Sequence, residues 1–246
     1  PDGLGNSSGQ LGHNLMDHAV NEGTYATYEG LKDKYYTGKS PGTVYIPRFQ
    51  NLNSETKHID FIRGYGIQGK GERENWQSKA TTGIGVSLKE QLATPGEWRI
   101  SLGGRGETLP NYDNKISLDN ENKDQWGLPL VKVDFEYGPN ELAMMEHMTK
   151  ASEEILTKAG FENVGSYRNS PPPGSAVHEM GTARMGNDPK TSVLNKHNQM
   201  HDVKNVFITD GSCMTSSGCQ NPSLTYMALT ARACHYAISQ FNSNQL

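Results

Sequence analysis

The chain has 246 residues, which is enough for one large or two small domains with a hydrophobic core. Its 23 basic and 27 acidic residues give a formal net charge of −4, so no nucleic acid or other polyanion is expected as a partner. Apolar residues make up 34% of the chain and the mean hydropathy is −0.71, which argues against a membrane-spanning segment and favours a soluble, loop-rich protein.

The N-terminal region contains a literal G-x-S-x-G pattern, which in some hydrolases carries a nucleophilic serine. The pattern runs from Gly5 to Gly9. A nucleophile elbow needs a strand immediately before it, and the Pro-Asp-Gly-Leu sequence of residues 1–4 is not a strand pattern. A serine hydrolase is therefore not predicted.

Residues 21–165 have the composition of short strands joined by long connections, with tyrosines interleaved with Gly, Pro and Lys. His58–Arg63 alternates polar and apolar residues, which predicts a half-exposed strand. A G-x-G-x-x-G match follows at Gly64–Gly69, but the charged residues 70–75 offer no apolar helix face. A dinucleotide fingerprint requires such a helix to receive the pyrophosphate, so the match is interpreted as a glycine-rich turn.

Two further strands and one long helix are predicted before residue 165. Trp98–Leu102 and Leu130–Phe135 alternate as strands of an antiparallel sheet do. From Asn140 to Lys158 apolar residues recur at helical spacing, and Gly160 ends the pattern. Strands followed by a single long helix predict an α+β domain.

The last third of the chain holds most of the candidate site residues. A proline-rich linker, residues 169–174, leads into His178, which begins the segment H-x-x-G-T-x-R-M-G. The apolar run Val206–Thr209 predicts a buried strand that ends in the loop Asp210-Gly211-Ser212. In α/β sheets ligands bind beyond the carboxyl ends of strands, which is where this loop would lie.

A long amphipathic helix is predicted to begin at Asn221. Asn is a preferred N-cap residue, and Pro222 suits the first helical position because its missing N–H would be unpaired there. The free N–H groups of Ser223 and Leu224 would stabilise an anionic group in front of the helix. One apolar face follows at three- and four-residue spacing: Leu224, Met227, Ala228, Ala231, Cys234, Ile238 and Phe241.

Three motifs of this region resemble the C-terminal signature of the glucose-methanol-choline (GMC) flavoprotein oxidoreductases. They are H-x-x-G-T-x-R-M-G from His178, the D-G-S loop at Asp210 and N-P-S-L-T from Asn221, and their order and separation match as well. The sugar-oxidising branch, meaning pyranose oxidase and bacterial glucoside or gluconate dehydrogenases, is the most similar. The N-L-x-D-H segment at residues 14–18 resembles a stretch well inside the family's flavin domain. The resemblance therefore implies a family member without its N-terminal half.

The resemblance implies an α+β fold in three parts. Residues 1–20 would be part of the FAD-binding domain, and residues 21–168 would form a substrate-binding domain with an antiparallel sheet and the helix 140–158. Residues 169–246 would be the catalytic and FAD-contacting segment. This segment corresponds to the C-terminal strand–helix part of an FAD-binding α/β (Rossmann-like) domain whose N-terminal half is missing.

The chemistry follows from residue types. Oxidation of an alcohol by hydride transfer requires removal of the hydroxyl proton, and an imidazole with an ordinary pKa near ~6.5 suits this task at neutral pH. His178 is the candidate general base, and the Asn221 amide is the candidate donor to the developing alkoxide. Flavin N5 would accept the hydride, since no side chain can. The resemblance implies FAD contacts from Asp210, Gly211, Ser212, Asn221, Pro222, Ser223 and Leu224.

Other interpretations of single residues stay open. His178 could be an ordinary hydrogen-bonded histidine, and Asn221 could serve only as a helix cap. His197 and His201 have a metal-ligand spacing, but their polar segment is typical of a solvated loop, so no metal site is predicted. Three tryptophans could stack on a sugar ring, although core positions are the preferred interpretation. They are Trp76, Trp98 and Trp126.

The cysteines are three in number and include no C-x-x-C pair, so neither a disulfide framework nor a zinc site is predicted. Cys213 and Cys219 could pair across the loop before the last helix. Small buried thiols are the preferred interpretation, because free cysteine packs as a small hydrophobic residue.

Two functions are consistent with the sequence. The first is the catalytic C-terminal part of an FAD-dependent oxidoreductase that acts on a CH–OH group of a sugar or other alcohol, with oxygen, a quinone or a cytochrome as candidate electron acceptors. By itself such a fragment is expected to be inactive. The second is a flavin-free carbohydrate-binding or structural fragment. The compartment is not defined, and both the bacterial cytoplasm and the periplasm fit.

Overall fold

An antiparallel sheet organises the computed structural model, which describes residues 4–20, 23–34, 43–73, 83–167 and 172–246. Within these residues six strands run in the order β3-β4-β5-β2-β8, with β1 also paired to β5, and β6 and β7 form a separate hairpin. The predicted α+β class with an antiparallel sheet is confirmed. The strands are β1 (His18–Val20), β2 (Thr24–Tyr28), β3 (Thr43–Ile46), β4 (Tyr65–Arg73), β5 (Trp98–Glu107), β6 (Lys115–Lys123), β7 (Pro129–Asp134) and β8 (Glu162–Ser166).

The described helices are α1 (Gly85–Ala93), α2 (Pro139–Lys158) and α3 (Ser223–Asn242), together with a 3₁₀ turn at Gly211–Cys213. The two long helices confirm the helical patterns in the sequence, and Gly160 follows α2 with a left-handed φ of 81°. Helix α1 was not predicted; it buries no residue, so it has no apolar stripe to reveal it. None of the described helices combines the length and the apolarity that a membrane crossing requires.

The residues of strand β5 define the two faces of the sheet. A Cβ atom at Gly104 or Gly106 would lie 2.5 Å from Met148 of α2, so these positions face the helix. Side chains alternate between faces along a strand. Gln68 of β4 pairs with Gly103 and His18 of β1 pairs with Glu107, so both project from the opposite side. We call this side, which also carries Arg105, the open face.

The helix side of the sheet holds the main hydrophobic core. Helix α2 contributes Met144, Met148 and Leu156, which pack over the glycines of β5. Methionine fills such irregular space well because its chain is unbranched and flexible. The remaining buried members are Ala19, Ala26, Phe61, Tyr65, Ile67 and Leu102.

The glycine-rich segment Gly64–Gly69 lies in strand β4 rather than in a turn, so that part of the sequence interpretation was wrong. The glycines allow close cross-strand packing instead of a backbone reversal. A Cβ at Gly66 would lie 2.8 Å from the Tyr45 hydroxyl, and a Cβ at Gly69 would collide with the Ser101 carbonyl. Glycine in a strand often marks such an approach. The strand continues past the motif to Arg73, in the place where a dinucleotide fingerprint would need a helix.

The alternating segment His58–Arg63 is not a strand. Phe61 is buried beneath the stacked His58 ring, while Ile59 and Ile62 are exposed, so burial in this loop does not follow the alternation of the sequence. The side chain of Asn51 replaces a neighbouring strand as hydrogen-bond partner. It accepts the His58 N–H at 2.7 Å and donates to the carbonyls of Phe61 and Arg63 at 3.1 and 2.7 Å.

We expect Gly69→Ala to lower the free energy of unfolding by about 1–3 kcal/mol, because its methyl group would overlap the β5 backbone. Gly71→Ala is the matched control in the same strand, since its nearest neighbour, the Arg99 carbonyl, lies 4.0 Å away. That variant should be neutral or stabilised by about 0.5 kcal/mol. Urea unfolding of both variants measures the difference, and equal effects would contradict the packing described for β4.

The run Val206–Thr209 is not a buried strand either. It makes one isolated bridge, between Gln199 and Phe207, and its residues are half-buried. Its apolar side chains instead line a second, smaller core built on loop residues. The buried members of this core are Ala183, Val193, Leu194, Met200 and Cys213.

Helix α3 begins one residue later than predicted. Pro222 occupies the N-cap position and no side chain of the described residues caps the helix, so Asn221 is not its cap. Among the helix residues only Ala233 is buried, and most of the predicted apolar face is exposed, with Leu224 at 76% and Phe241 at 71%. The predicted face therefore exists as a pattern but is not covered by the described part of the chain.

Some of the described cysteines and tryptophans are buried and others are exposed. Cys213 and Cys219 are buried free thiols, which agrees with the interpretation preferred from the sequence. Cys234 is free and exposed. Trp98 is half-buried in β5, whereas Trp126 is 76% exposed, so the core interpretation is wrong for Trp126. Trp76 and residues 169–171 of the predicted linker lie outside the described residues.

Candidate functional site

The segment that carries His178 is anchored by Asp17, a residue from the other end of the chain. Its carboxylate is fully buried and accepts three backbone N–H groups. These come from Ala176 at 2.6 Å, His178 at 3.3 Å and His18 at 2.8 Å. Hydrogen bonds to a charged acceptor are stronger than neutral ones. The carboxylate therefore fixes the backbone at the candidate base and just before it, together with the backbone of His18.

The side chain of His178 contacts the ring of His18. Nε2 of His18 and Nδ1 of His178 are 2.8 Å apart, and the ring planes are nearly perpendicular at 86°. His18 is buried on β1, while His178 is half-buried. The backbone carbonyl of His18 accepts a hydrogen bond from the Tyr137 hydroxyl at 2.9 Å, which further restrains the strand.

The pKa of His18 is lowered from 6.5 to about 4, first by burial and then by the neighbouring His178 and Arg105, while the Gly106 carbonyl opposes the shift. Burial lowers the pKa because it disfavours the charged imidazolium. His18 is therefore neutral at neutral pH. Burial of Arg105 on the same face also lowers the pKa of its guanidinium, with Asp17 opposing that shift.

This shift predicts a pH dependence of stability. Because the folded-state pKa of His18 lies below the unfolded value, unfolded chains bind more protons between pH 6.5 and about 4. Stability present above pH 6.5 should thus be lost as the pH falls toward 4, by up to about 3 kcal/mol. His18→Gln should flatten this slope, whereas the exposed-site control His235→Gln should not. Urea unfolding from pH 4 to 7 measures it; identical slopes in both variants would contradict the assignment.

The loop that carries Asn221 is attached to the same point of the sheet. Thr108, immediately after β5, donates its N–H to the Ser217 hydroxyl at 3.0 Å and accepts from it at 3.2 Å. Thr108 also donates its hydroxyl to the Asp17 carbonyl at 2.6 Å and accepts the Asp17 N–H at 3.3 Å. All three residues are buried. One threonine therefore joins the anchor of His178 to the loop of Asn221.

Asn221 itself is exposed at the edge of the open face. Its side-chain oxygen accepts a hydrogen bond from Gln68 at 3.3 Å. Nearby, burial raises the pKa of the Cys219 thiol and, with that thiol beside it, the pKa of Tyr45. Both groups are thus neutral at physiological pH. The Asn221 amide retains its two N–H groups as donors on the solvent side.

Of the cavities over the open face, two adjoin the candidate site. One of 640 Å³ is lined by residues that include Val20, Gln68 and Arg105. The other, of 500 Å³, shares Gln68 and reaches Tyr45 and Asn221. His18, which holds His178, projects from this same face. His178 and Asn221 are thus tied to one side of one sheet, although their convergence on a single substrate atom stays a prediction.

Three of the predicted cofactor residues, Asp210, Gly211 and Ser212, form a compact turn beside helix α3. The Asp210 carboxylate accepts the Ser212 N–H at 2.9 Å and the Ser212 hydroxyl, so these two side chains bond each other. Gly211 is buried where a Cβ would lie 2.6 Å from the Tyr226 hydroxyl. That hydroxyl is buried without a partner in the described residues, and burial raises its pKa to about 12.

The remaining histidine candidates have structural partners. His197 stacks on Tyr236 with ring centroids 3.9 Å apart, and His201 contacts the Ser192 hydroxyl at 3.0 Å. Across the described ranges, no three His, Cys, Asp or Glu side chains are grouped as a metal site.

Sequence reasoning missed Asp17, His18 and Thr108. The first two are part of N-L-x-D-H, which was interpreted only as a marker of the flavin domain. An adjacent Asp–His pair in a segment without other charges was the available signal. Thr108 gave no signal, since its role comes from a position at the end of β5.

Comparisons with known proteins agree with this architecture. The family model described as "GMC oxidoreductase" matches residues 110–230. 2-Methyl-1,2-propanediol dehydrogenase of Mycolicibacterium austroafricanum is 31% identical over 98% of this chain and 44% of its own length. Paromamine 6'-oxidase of Streptomyces fradiae is 36% identical over 95% and 40%. A formate oxidase variant of Aspergillus oryzae RIB40 shares the fold, with TM-score 0.60, 14% identity and coverage of 96% and 48%. The chain spans less than half the length of these relatives.

Proposed function

The chain belongs to the GMC oxidoreductase family, and from this premise we propose that it forms the substrate-binding part and one wall of the FAD site of an enzyme that oxidises a CH–OH group of a sugar or another alcohol. The observation that carries the proposal is the link through Thr108, which ties the supports of His178 and Asn221 to one end of β5. The names of the relatives, which include a diol dehydrogenase, support an alcohol as substrate.

His178 is proposed as the general base that accepts the hydroxyl proton of the substrate. With Nδ1 engaged by His18, its Nε2 is the nitrogen available to a ligand. A general base must approach the proton it removes to about 2.6–3.2 Å between heavy atoms. The Asp17 anchor favours such precision, because it fixes the backbone at His178 and two residues before it.

Asn221 is proposed as the donor to the substrate oxygen as negative charge develops on it. Its carbonyl oxygen is held by Gln68, which orients the amide so that the N–H groups remain for the ligand. A pre-oriented donor of this kind stabilises an alkoxide without reorganising during the reaction.

The residues beside α3 fit one wall of an FAD site. The helix has no side-chain cap, so its first N–H groups, near the exposed Ser223 and Leu224, are available to an anionic group. The unpartnered Tyr226 hydroxyl beside Gly211 supports a further polar contact there. When bound, the flavin would supply the hydride acceptor that the side chains lack. We assign residues 1–20 and 169–246 to the FAD side and residues 21–168 to the substrate side.

The purified protein that carries this chain can be tested directly. We expect flavin absorbance in the visible range, and anaerobic bleaching of that absorbance on addition of a neutral sugar, a methyl glycoside or 1,2-propanediol. Oxygen, a quinone and a cytochrome are then compared as agents that restore the colour. Protein that binds carbohydrate but contains no flavin would contradict the proposal and favour a binding module.

Asn221→Ala is expected to slow flavin reduction by about 10²-fold, in line with the loss of one oxyanion donor. Because Asn221 does not cap α3, the free energy of unfolding should change by less than about 0.5 kcal/mol. The neighbouring exposed Gln220→Ala serves as the control and should retain the rate. Anaerobic stopped-flow spectroscopy measures the rates; equal loss in both variants would argue for a general loop effect.

A further inference from the structure

In the hydrogen bond between His18 and His178 one ring donates and the other accepts, and the sequence does not reveal which. We propose that His18 is a positioning residue whose Nε2 accepts the Nδ1–H of His178, which fixes His178 in the tautomer with a free lone pair on Nε2. This inference rests on the proposed role of His178 as base, but the hydrogen bond itself can be tested without any substrate.

A separation of 2.8 Å between two ring nitrogens requires one N–H and one lone pair. Two arrangements of neutral rings satisfy this. If His18 donates, His178 must carry its own proton on Nε2 and offers no base to a ligand. If His18 accepts, His178 carries its proton on Nδ1 and its Nε2 is unprotonated.

The surroundings of His18 select the second arrangement. Its Nε2 is occupied by His178, so Nδ1 is the nitrogen left for the Gly106 carbonyl, which acts on the ring as an acceptor. Nδ1 is buried and has no hydrogen-bond partner among the described residues, so the carbonyl acts on it from beyond hydrogen-bond range. A lone pair facing a carbonyl oxygen in a buried site would be repulsive, whereas an N–H is attracted to it. His18 therefore carries its proton on Nδ1 and presents a lone pair at Nε2.

A doubly protonated His18 would reverse the contact, because both of its nitrogens would donate. Burial and the nearby His178 and Arg105 oppose that state and lower the pKa of His18 to about 4. The ring is also held in place through its backbone, by Asp17 at the N–H and by Tyr137 at the carbonyl. His18 thus does for His178 what a carboxylate does in many catalytic dyads, but without a charge.

Nitrogen-15 NMR of histidine-labelled protein at pH 7 reads the tautomer directly, with His178 assigned by its loss in His178→Gln. We expect the Nδ1–H form of His178 in the unaltered protein and a shift toward the Nε2–H form in His18→Leu. His18→Gln, whose amide oxygen can accept the same proton, should restore the Nδ1–H form. His13→Gln is the control and should leave the His178 signals unchanged.

Kinetics separate positioning from simple folding effects. His18→Leu should lower kcat by about tenfold or more with KM little changed, since a wrong tautomer disables a base without removing binding contacts. His18→Gln should recover most of this loss. The proposal is overturned if His178 is found as the Nε2–H form in the unaltered protein, or if its tautomer is the same in all His18 variants. A correct tautomer in a protein that oxidises no alcohol would instead refute the proposed function alone.

Discussion

Replacement of His178 by alanine is expected to leave flavin bound and to slow its reduction by an alcohol by about 10²–10⁴-fold, the usual contribution of a positioned general base. The effect should be on kcat and kcat/KM together, because proton removal belongs to the transition state rather than to substrate binding. Anaerobic stopped-flow spectroscopy of the flavin band measures the rate.

The variant should still fold, because Asp17 binds the backbone N–H of residue 178 and not its ring. His235→Ala, at an exposed position of α3, is the matched control and should reduce its flavin at the normal rate. Full-rate reduction in the His178 variant would exclude this residue as the base.

Asp17→Ala is expected to lower the free energy of unfolding on the order of 4 kcal/mol, since it leaves three N–H groups without their acceptor and each unmet buried donor costs about 1–3 kcal/mol. Activity should fall as well, because the segment before His178 loses its attachment. Chemical denaturation monitored by circular dichroism provides the stability.

Asp202→Ala is the matched control for this change. Its carboxylate also accepts two hydrogen bonds, both from Ser7 at 3.0 and 2.7 Å, but the residue is exposed. Water replaces such bonds, so the loss should stay below about 1 kcal/mol. Comparable losses in the two variants would contradict a special anchoring role for Asp17.

The elements that the sequence predicts well are those whose periodicity is set by one large contact surface. Helix α2 packs Met144 and Met148 on the sheet, and its spacing of apolar residues reflects that contact. Helix α3 also has the pattern, although its apolar residues are exposed in the described structure. Strand β5 alternates for the same kind of reason, with Leu102 buried in the core, whereas β7 alternates although most of it is exposed.

The failures arise where a local pattern has more than one physical cause. His58–Arg63 alternates in sequence but forms a loop folded around Asn51, and the glycines of β4 reflect strand packing. Val206–Thr209 is apolar because it lines a loop core. In each case the deciding partner is a side chain or backbone group that sequence periodicity does not identify.

Only part of the candidate site could be predicted from the sequence, for a related reason. Motif spacing identified His178 and Asn221, but the groups that hold His178 lie about 160 positions away in the chain. A contact over that separation leaves no periodic signal. The prediction that Asn221 caps the helix was wrong, because Pro222 occupies the cap position. The Asn221 side chain instead accepts a hydrogen bond from Gln68.

The most direct test of the account is a crystal structure of the protein with a sugar or diol bound over the open face. We expect one substrate hydroxyl oxygen to lie about 2.6–3.2 Å from both the His178 imidazole and the Asn221 amide nitrogen. The carbon atom that bears this hydroxyl group should face the side of the site formed by α3. A ligand that engages His178 and Asn221 in separate cavities, or neither of them, would contradict the proposed site.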